Sequence, residues 1–429
     1  MNRYIADLID FLDESPVNFF AVDTVRRRLE EHGFLELNPA QRWELSAGDR
    51  RYVIQNGSAI FAFVVGDRAE SPFHIIAAHS DSPGFRLKPN CEITTEGGVV
   101  KLNTEVYGGP ILYTWFDRPL SLAGRVMLDS GDPLHPETRL VRFARPLLTI
   151  PHLAIHFNRS VNEGNKLSKQ KDMLPVMAID DFNPAQGLIR KLLAAELNVT
   201  PDDILDYDMS LYTTEGAQLV GLNENIISSG RIDDLSMVHA GLMALTEEAD
   251  TITDATRVLA IFDNEETGSG TKQGAASPIL KDILSRIVMA LGGTPEDYSR
   301  AVATSFMISA DNAHGFHPNY GEKYDPTNHP RLGGGPCIKI NANCKYMTDA
   351  DSAAVFAAIC ARADVPVQYF VNHSDVAGGS TLGNILTAQI PLRGVDMGAP
   401  VWAMHSARES ASTADHEYTI EAFRTFFRL

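Results

Sequence analysis

Two adjacent glutamates after an apolar segment are the residues in this sequence best suited to chemistry. Residues 258–262 predict a β-strand, and Glu265 and Glu266 follow it closely. Neighbouring side chains on extended backbone point to opposite sides. One carboxylate could therefore bind a metal ion while the other holds a water molecule. Taken alone, the pair is more simply interpreted as a solvated acidic turn.

Three further strand-like segments also end in residues that commonly bind metal ions. The residues that follow them are His79 with Asp81, Asp311, and His405. A single histidine after a strand is more often a hydrogen-bonded core residue than a ligand. Four such strand ends favour a shared site, because ligands of open α/β sheets bind outside the carboxyl ends of the strands. We expect Asp81 to accept a hydrogen bond from the second ring nitrogen of His79, as carboxylates beside metal-bound histidines do.

An aspartate pair before a helical pattern supplies one more candidate ligand. Asp233 and Asp234 precede apolar residues at helical spacing. We expect Asp234 to be the N-cap of that helix, which leaves Asp233 available for metal binding. A carboxylate has two oxygens and can bridge two metal ions about 3.5–4 Å apart. The sequence thus contains ligands for two metal ions.

Composition excludes several classes of protein. The chain has 429 residues, 44% of them hydrophobic and 21% charged, which is typical of a globular protein with a large core. No apolar run approaches the roughly 18 residues of a membrane span, and the amphipathic, acidic N-terminus is unlike a secretory signal. The 4 cysteines form no CxxC pair, so thiolate zinc sites and disulfide scaffolds are disfavoured. These features predict a cytoplasmic protein that does not bind membranes.

The charge of the chain argues against nucleic acid as a partner. The formal net charge is −18, whereas binding to nucleic acid depends on basic patches. Screening limits charge effects to about 8 Å at physiological salt. A local cationic pocket could therefore still recognise an acidic ligand.

The order of predicted elements indicates an α/β domain interrupted by a second domain. Residues 2–35 predict helix, and helices and strands alternate beyond residue 230, as a doubly wound sheet requires. The residues between read as short β segments, at 99–102, 110–115, 120–127, 139–142 and 147–156. All the candidate ligands precede or follow that block. We therefore predict one metal-binding domain from residues 1–83 and 231–429, with a mainly β domain inserted at 84–230.

Seven segments together resemble one enzyme family. They are HSDSPG, IPHLAIH, SGRIDDL, DNEETGS, SADNAHGFHPNY, IKIN and AMHSARE, which span nearly the whole chain in order. Each motif is weak alone, but the set resembles the aspartyl aminopeptidase family of dinuclear zinc exopeptidases. The resemblance implies a metallopeptidase domain of α/β fold, with a doubly wound mixed sheet, and an inserted dimerisation domain. It also implies a homo-oligomer, expected to be a dodecamer built from dimers.

The resemblance implies two divalent metal ions per subunit and a role for each ligand. His79, Asp233 and Asp311 would hold one ion, and Asp233, Glu266 and His405 would hold the other. Glu265 would be the general base that activates a metal-bridged hydroxide, and Asp81 would orient His79. Zinc is the expected metal, although histidine and carboxylate ligands also suit cobalt or manganese. In related dinuclear peptidases a non-proline cis peptide often follows the bridging aspartate, which predicts one between Asp233 and Asp234.

Specificity for N-terminal Asp or Glu is a further implication. The matching cation is Lys339, a lone lysine in an apolar strand-like segment. An inward lysine needs a carboxylate partner, which a substrate side chain could provide. The alternative is an edge lysine whose amine reaches solvent. His314 and His317 could line the same pocket or be structural.

A histidine in the inserted block is the last implied site residue. In residues 147–156, His152 and His156 share strand parity and should project from one face. The resemblance implies that His152 enters the active site of a neighbouring subunit and stabilises the oxyanion. The alternatives are a broad or neutral aminopeptidase with the same metal site, and a non-catalytic self-assembling protein. Glu265 argues against the latter, because metal ligation does not require it.

Overall fold

The computed structural model describes residues 2–95, 97–179, 187–251 and 253–429. The chain forms two compact units. The first unit comprises Met1–Asp81, Ala217–Met404 and Glu409–Leu429, and the second comprises Ser82–Gly216 and His405–Arg408. The assignment of residues 84–230 to an inserted dimerisation domain, with residues 1–83 and 231–429 as the metallopeptidase domain, stays a prediction. Within the described residues, no helix combines the length and apolar character needed to cross a membrane.

Helices and strands alternate in the first unit, whereas strands predominate in the second. The helices are α1 (Arg3–Glu14), α2 (Asn18–Glu31), α3 (Lys169–Asp172), α4 (Leu188–Leu197), α5 (Ile232–Glu247), α6 (Ile279–Ala290), α7 (Pro295–Thr304), α8 (Ala350–Arg362), α9 (Leu382–Leu386) and α10 (Thr413–Phe427). The strands are β1 (Leu35–Glu36), β2 (Arg50–Gln55), β3 (Ala59–Val64), β4 (Phe73–His79), β5 (Gly84–Thr94), β6 (Val99–Tyr107), β7 (Leu120–Leu128), β8 (Glu137–Arg142), β9 (Val176–Ile179), β10 (Ile204–Thr213), β11 (Gln218–Val220), β12 (Ile226–Ser229), β13 (Thr256–Phe262), β14 (Phe306–Ala310), β15 (Ala313–His314), β16 (Cys337–Ile340), β17 (Gln368–Val371), β18 (Arg393–Gly398), β19 (Pro400–Trp402) and β20 (Glu409–Ser412).

A nine-stranded mixed sheet forms the centre of the first unit. Its strand order is β1-β2-β3-β13-β4-β14-β18-β16-β17. Strand β4 pairs in parallel with β13 on one side and with β14 on the other. The carboxyl ends of these three strands therefore lie at one edge of the sheet. The predicted α/β fold with a mixed sheet is confirmed.

Both faces of this sheet are covered, which explains the continuous apolar runs in its central strands. On β4, Ile76 and Ala78 pack with residues of α1, α2, α5 and α10. The alternate residues Ile75 and Ala77 pack with residues of α6 and α7 on the opposite face. Because side chains alternate between the two faces of a strand, β4 contributes to two separate hydrophobic cores.

A second sheet of the first unit has the strand order β11-β12-β20-β19-β15. The sequence predicted four strands that end in candidate ligands at one sheet. One of these four strands does not belong to the central sheet. Strand β19, which precedes His405, belongs to the five-stranded sheet and ends at Trp402. Among the described strands of the central sheet, β4, β13 and β14 are those that deliver candidate ligands.

The second unit contains a six-stranded sheet with the order β8-β7-β10-β5-β6-β9. Two of the strands predicted there are wrong. Residues 110–115 contain the 3₁₀ helix Leu112–Trp115, and residues 147–156 make isolated bridges before the 3₁₀ helix Ile155–Phe157. Proline at positions 110, 146 and 151 removes backbone donors that a strand would need. His152 and His156 therefore do not share a strand.

Candidate metal centre

His79 is the last residue of β4 and is only 1% exposed. Its Nδ1 lies 3.0 Å from the backbone oxygen of Asp81 and 3.4 Å from Oδ1 of the same residue. The nearer acceptor is thus the carbonyl, where the sequence had predicted the carboxylate. Its Nε2 lies 3.7 Å from Oδ1 of Asp233. A histidine that donates from one nitrogen to a carbonyl can offer the other to a metal ion.

The aspartate pair lies at the irregular start of α5. The peptide bond between Asp233 and Asp234 is cis, which confirms that prediction. Both residues have non-helical backbone angles. Asp234 does not cap the helix, and the prediction that it does is wrong. Its Oδ2 instead accepts the backbone N–H of His79 at 3.1 Å. The carboxylate is therefore bonded to a strand that is distant in sequence, and not to the first turn of its own helix.

Glu409 is a site residue that the sequence reasoning missed. It begins β20, is 1% exposed, and its Oε2 accepts the backbone N–H of Asp233 at 3.0 Å. The bond fixes the backbone of the candidate bridging ligand. The available signal was a carboxylate four residues after His405, in the same motif.

The two adjacent glutamates lie on a 3₁₀ turn, Glu265–Thr267, and not on extended backbone. Their divergence therefore arises from the turn, where successive side chains are about 120° apart. The backbone N–H groups of Glu265 and Glu266 donate to Oδ1 and Oδ2 of Asp81 at 3.1 and 3.2 Å. The Asp81 carboxylate thus holds the turn that carries both glutamates, a contact that the sequence did not predict.

Several candidate ligands of the first unit come together at this edge of the sheet. One ligand atom from each of His79, Asp233, Asp234 and Asp311 lies within 4.8 Å of the others, and the same holds for His79, Glu265 and Glu266. Within the described part of the chain, Oδ1 of Asp234 is buried without a hydrogen-bond partner. Imidazole and carboxylate groups, without thiolates, are donors that zinc, cobalt and manganese accept. The cluster therefore fits a divalent metal site.

Electrostatics support the same interpretation. Burial raises the pKa of Asp311, and it raises the pKa of Asp234 well above its usual value. Burial also raises the pKa of Glu265 to about 9, and nearby carboxylates add to this effect. Buried carboxylates of like charge disfavour ionisation in the metal-free protein. Bound cations reverse that penalty, so the cluster is suited to hold them.

Lys339 is 3% exposed and lies on β16, between β18 and β17. The interpretation as an edge lysine that reaches solvent is therefore wrong. Its Nζ lies 3.5 Å from Oδ2 of Asp311 and 5.7 Å from the ring centroid of Tyr346. The buried lysine thus has a carboxylate partner within the protein, where the sequence reasoning had considered one from the substrate.

The two histidines after Asp311 lie in different surroundings. His314 ends β15, is exposed, and packs edge-to-face against Phe370 with ring centroids 5.7 Å apart. His314 also lines a cavity of about 230 Å³. His317 accepts the backbone N–H of Asn319 at Nδ1, at 3.2 Å. His314 therefore faces space that a ligand could occupy, whereas His317 stabilises a local turn.

His405 and His152 both belong to the second unit. Nδ1 of His405 lies 3.2 Å from the backbone oxygen of Gly109, a contact typical of histidines whose other nitrogen binds metal. The backbone N–H of His152 donates to Oδ1 of Asp117 at 2.9 Å. The ring of His152 packs edge-to-face against Phe116, with centroids 4.6 Å apart. Local contacts therefore orient both imidazoles.

Known proteins resemble this chain over nearly its whole length. Residues 11–427 match the family described as aminopeptidase I zinc metalloprotease (M18). A probable M18 family aminopeptidase 2 of Clostridium novyi (strain NT) is 49% identical over 430 residues, which cover 100% of this chain and 99% of that protein.

Solved structures agree with the sequence comparison. A cryo-EM structure of the Ape4 and Nbr1 complex has a TM-score of 0.95 at 35% identity and covers 99% of this chain and 85% of that chain. A structure of the S. cerevisiae mApe1 dodecamer has a TM-score of 0.87 at 25% identity and covers 99% of this chain and 96% of that chain.

Proposed function

This chain belongs to the M18 family of zinc aminopeptidases, and from that premise we propose that it removes N-terminal Asp or Glu from peptides. The observation that carries the proposal is the buried cluster of imidazole and carboxylate groups around His79. A single metal site would not need so many carboxylates at one edge of a sheet. Two divalent metal ions, with zinc as the expected metal, account for their number.

We assign the ligands as the family resemblance implies. His79, Asp233 and Asp311 hold one ion, and Asp233, Glu266 and His405 hold the other. The proximity of His79, Asp233 and Asp311 supports the first set. When bound, the ions lower the pKa of a water molecule and polarise the peptide carbonyl. His79 is oriented through Asp81, and the backbone of Asp233 is fixed by Glu409.

Glu265 is the general base in this proposal. Its carboxylate takes a proton from the attacking water and passes it to the leaving amine of the cleaved bond. Two features support the assignment. Its turn is anchored to Asp81, and burial gives its carboxylate a raised pKa, which makes it a stronger base than an exposed glutamate.

Lys339 and His314 are the residues proposed to recognise the acidic side chain of the substrate. An ammonium group has three donors, so the contact with Asp311 leaves Lys339 able to bind a second carboxylate. His314 lies three residues after Asp311 and is exposed. Together they would give an acidic side chain a cation and a further polar contact.

We also propose a homododecamer built from dimers. Support comes from the dodecameric mApe1 structure, which this chain resembles over nearly its full length. The segment around His152 exposes three apolar side chains, Leu153, Ile155 and Phe157, at 57%, 52% and 81%. Exposed apolar patches of this kind are typical of interaction sites. We propose that His152 is delivered by this segment to a neighbouring subunit, where it stabilises the oxyanion. A cytoplasmic location stays a prediction.

A broad or neutral aminopeptidase is the second candidate function. The observation that favours it is the ion pair between Lys339 and Asp311, because a lysine neutralised within the protein attracts a substrate carboxylate less strongly. A non-catalytic protein is disfavoured, since Glu265 is retained although it is not assigned as a ligand.

One assay separates these functions. The purified chain is loaded with zinc, cobalt or manganese, and kcat/KM is measured for matched peptides that begin with Asp, Glu or Leu. We expect the acidic N-termini to be preferred. Equal values for all three peptides would establish the broad aminopeptidase, and no cleavage with any metal would contradict both functions.

A further inference from the structure

A cavity of about 230 Å³ in the first unit is lined, besides His314, by residues that have no role in the reaction described above. It borders the elements that carry the proposed substrate residues. Phe370, in its wall, is the register partner of Lys339 on the adjacent strand. His314, also in its wall, lies three residues after Asp311. The cavity therefore lies beside the site where the first residue of a peptide would bind.

Apart from the phenol of Tyr324, the ionisable side chains that line the cavity are basic or imidazole groups. Lys323 and His373 join His314 in its wall, and none of the described residues that line it carries a carboxylate. This absence of carboxylates contrasts with the net charge of −18. Lys323 is exposed, and among the described residues no carboxylate pairs with it. The cavity thus offers a cation that the protein itself does not neutralise.

One neighbouring side chain, His373, supplies a directional polar group. Nδ1 of His373 accepts the backbone N–H of Asp375 at 3.2 Å, so the proton of the neutral ring is on Nε2, which is then a donor. In the part of the chain that the structure describes, Oδ1 of Asn372 is buried without a hydrogen-bond partner. This oxygen has almost no accessible surface, and it is therefore assigned no contact with a ligand in the cavity.

We infer that this cavity binds a carboxylate of the peptide substrate on the C-terminal side of the cleaved bond. Lys323 supplies the cation, and Nε2 of His373 donates a hydrogen bond to the carboxylate. Lys339 is paired with Asp311 and is assigned to the first residue, so the cavity on the next strand is available to a later one. The inference rests on the proposed peptidase function and extends it to a second acidic residue.

The test compares glutamate with glutamine along the peptide. Asp-initiated peptides carry Glu or Gln at the second, third or fourth position, and KM and kcat are measured for the metal-loaded enzyme. A charged partner in a half-enclosed site should lower KM about tenfold for the Glu peptide at one of these positions. In Lys323→Met the ratio of KM for the Gln peptide to KM for the Glu peptide should fall to about one. Lys323→Arg should retain most of the wild-type ratio. The exposed Lys281, on α6, is the matched control, and Lys281→Met should leave the ratio unchanged.

The outcomes separate this inference from the proposed function. Wild type and Lys323→Met should cleave the Gln peptides with equal kcat, because these peptides report the peptidase activity without the contact to the cavity. The inference is overturned when no position distinguishes Glu from Gln, or when Lys323→Met keeps the wild-type ratio. Should no peptide be cleaved, the proposed function fails. In that case calorimetry measures the dissociation constants of the same Glu and Gln peptides for wild type and for Lys323→Met. The inference holds if wild type prefers the Glu peptide and Lys323→Met does not, and it is overturned if the two proteins show the same preference.

Discussion

Nζ of Lys339 lies 3.5 Å from Oδ2 of Asp311, so a buried lysine is paired with a candidate metal ligand. Burial lowers the pKa of Lys339, but the negative charges around it, of which Asp311 contributes most, together raise the pKa more, and the net effect is an increase. The lysine therefore remains charged at neutral pH. It contributes a fixed positive charge to a cluster that otherwise consists of carboxylates and one imidazole.

The first prediction separates the two roles of Lys339. Lys339→Met should raise KM for Asp-terminated peptides at least about tenfold, because a charged hydrogen bond to the substrate is lost. KM for Leu-terminated peptides should change much less. Steady-state kinetics with both peptides, together with metal analysis, provide the measurement. Equal losses on both substrates would show that Lys339 acts only through Asp311.

The second prediction concerns the stability of the metal-free protein. Burial raises the pKa of Glu265 from its ordinary 4.5 to about 9. The folded state thus binds this proton more tightly than the unfolded state. The contribution of Glu265 to the free energy of unfolding is full below about pH 4.5 and is lost as pH rises towards 9.

Zinc should consequently raise the melting temperature more at pH 8 than at pH 6. Melting curves with zinc and with chelator at both pH values provide the measurement. In the metal-free protein, Glu265→Gln should flatten the fall in stability with pH, because the amide does not titrate. A zinc effect that shrinks with rising pH would contradict this electrostatic account.

The third prediction concerns Glu409, which accepts the backbone N–H of Asp233 at 3.0 Å. Glu409→Gln keeps an acceptor of the same shape, whereas Glu409→Leu leaves that N–H without one. The Leu variant should lose metal affinity about 10–100-fold, as is typical for residues that support metal ligands. The Gln variant should stay within a few-fold of wild type. Equilibrium dialysis measures both, and equal losses would mean that the charge matters and not the hydrogen bond.

The fourth prediction concerns His152 and the oligomer. His152→Phe should bind metal normally while kcat falls about 10²–10³-fold, the usual effect of losing one oxyanion donor. Refolded mixtures of His152→Phe and Glu265→Gln chains should regain part of the activity, because some sites then combine an intact base with an intact histidine. Mixtures that are no more active than either parent would show that His152 does not act across subunits.

The central sheet could be predicted because its inner strands contain continuous apolar runs. Residues 75–78 and 258–262 lie within β4 and β13, and both strands are covered on two faces. The candidate ligands at the ends of these strands followed from the same pattern. Parallel strands bring their carboxyl ends to one edge, so the proximity of His79 to Asp311 follows from sequence order and sheet physics alone.

Contacts between distant segments could not be predicted in this way. The partner of Asp234 is a backbone group of β4, far away in sequence, so the local N-cap rule gave the wrong answer. Glu409 carries no periodic signal that links it to Asp233. In residues 147–156 the apolar pattern indicated a strand, but proline removed the hydrogen bonds on which a strand depends.

The division of roles between the adjacent glutamates is the central claim, and metal content tests it most directly. Metal bound per chain is measured by elemental analysis for Glu265→Gln and Glu266→Gln, together with turnover of an Asp-terminated peptide. We predict that Glu265→Gln retains two metal ions per chain and loses activity about 10²–10⁴-fold, as expected for removal of a general base. Glu266→Gln should lose one ion. Loss of metal from Glu265→Gln with full occupancy in Glu266→Gln would contradict the account and exchange the two roles.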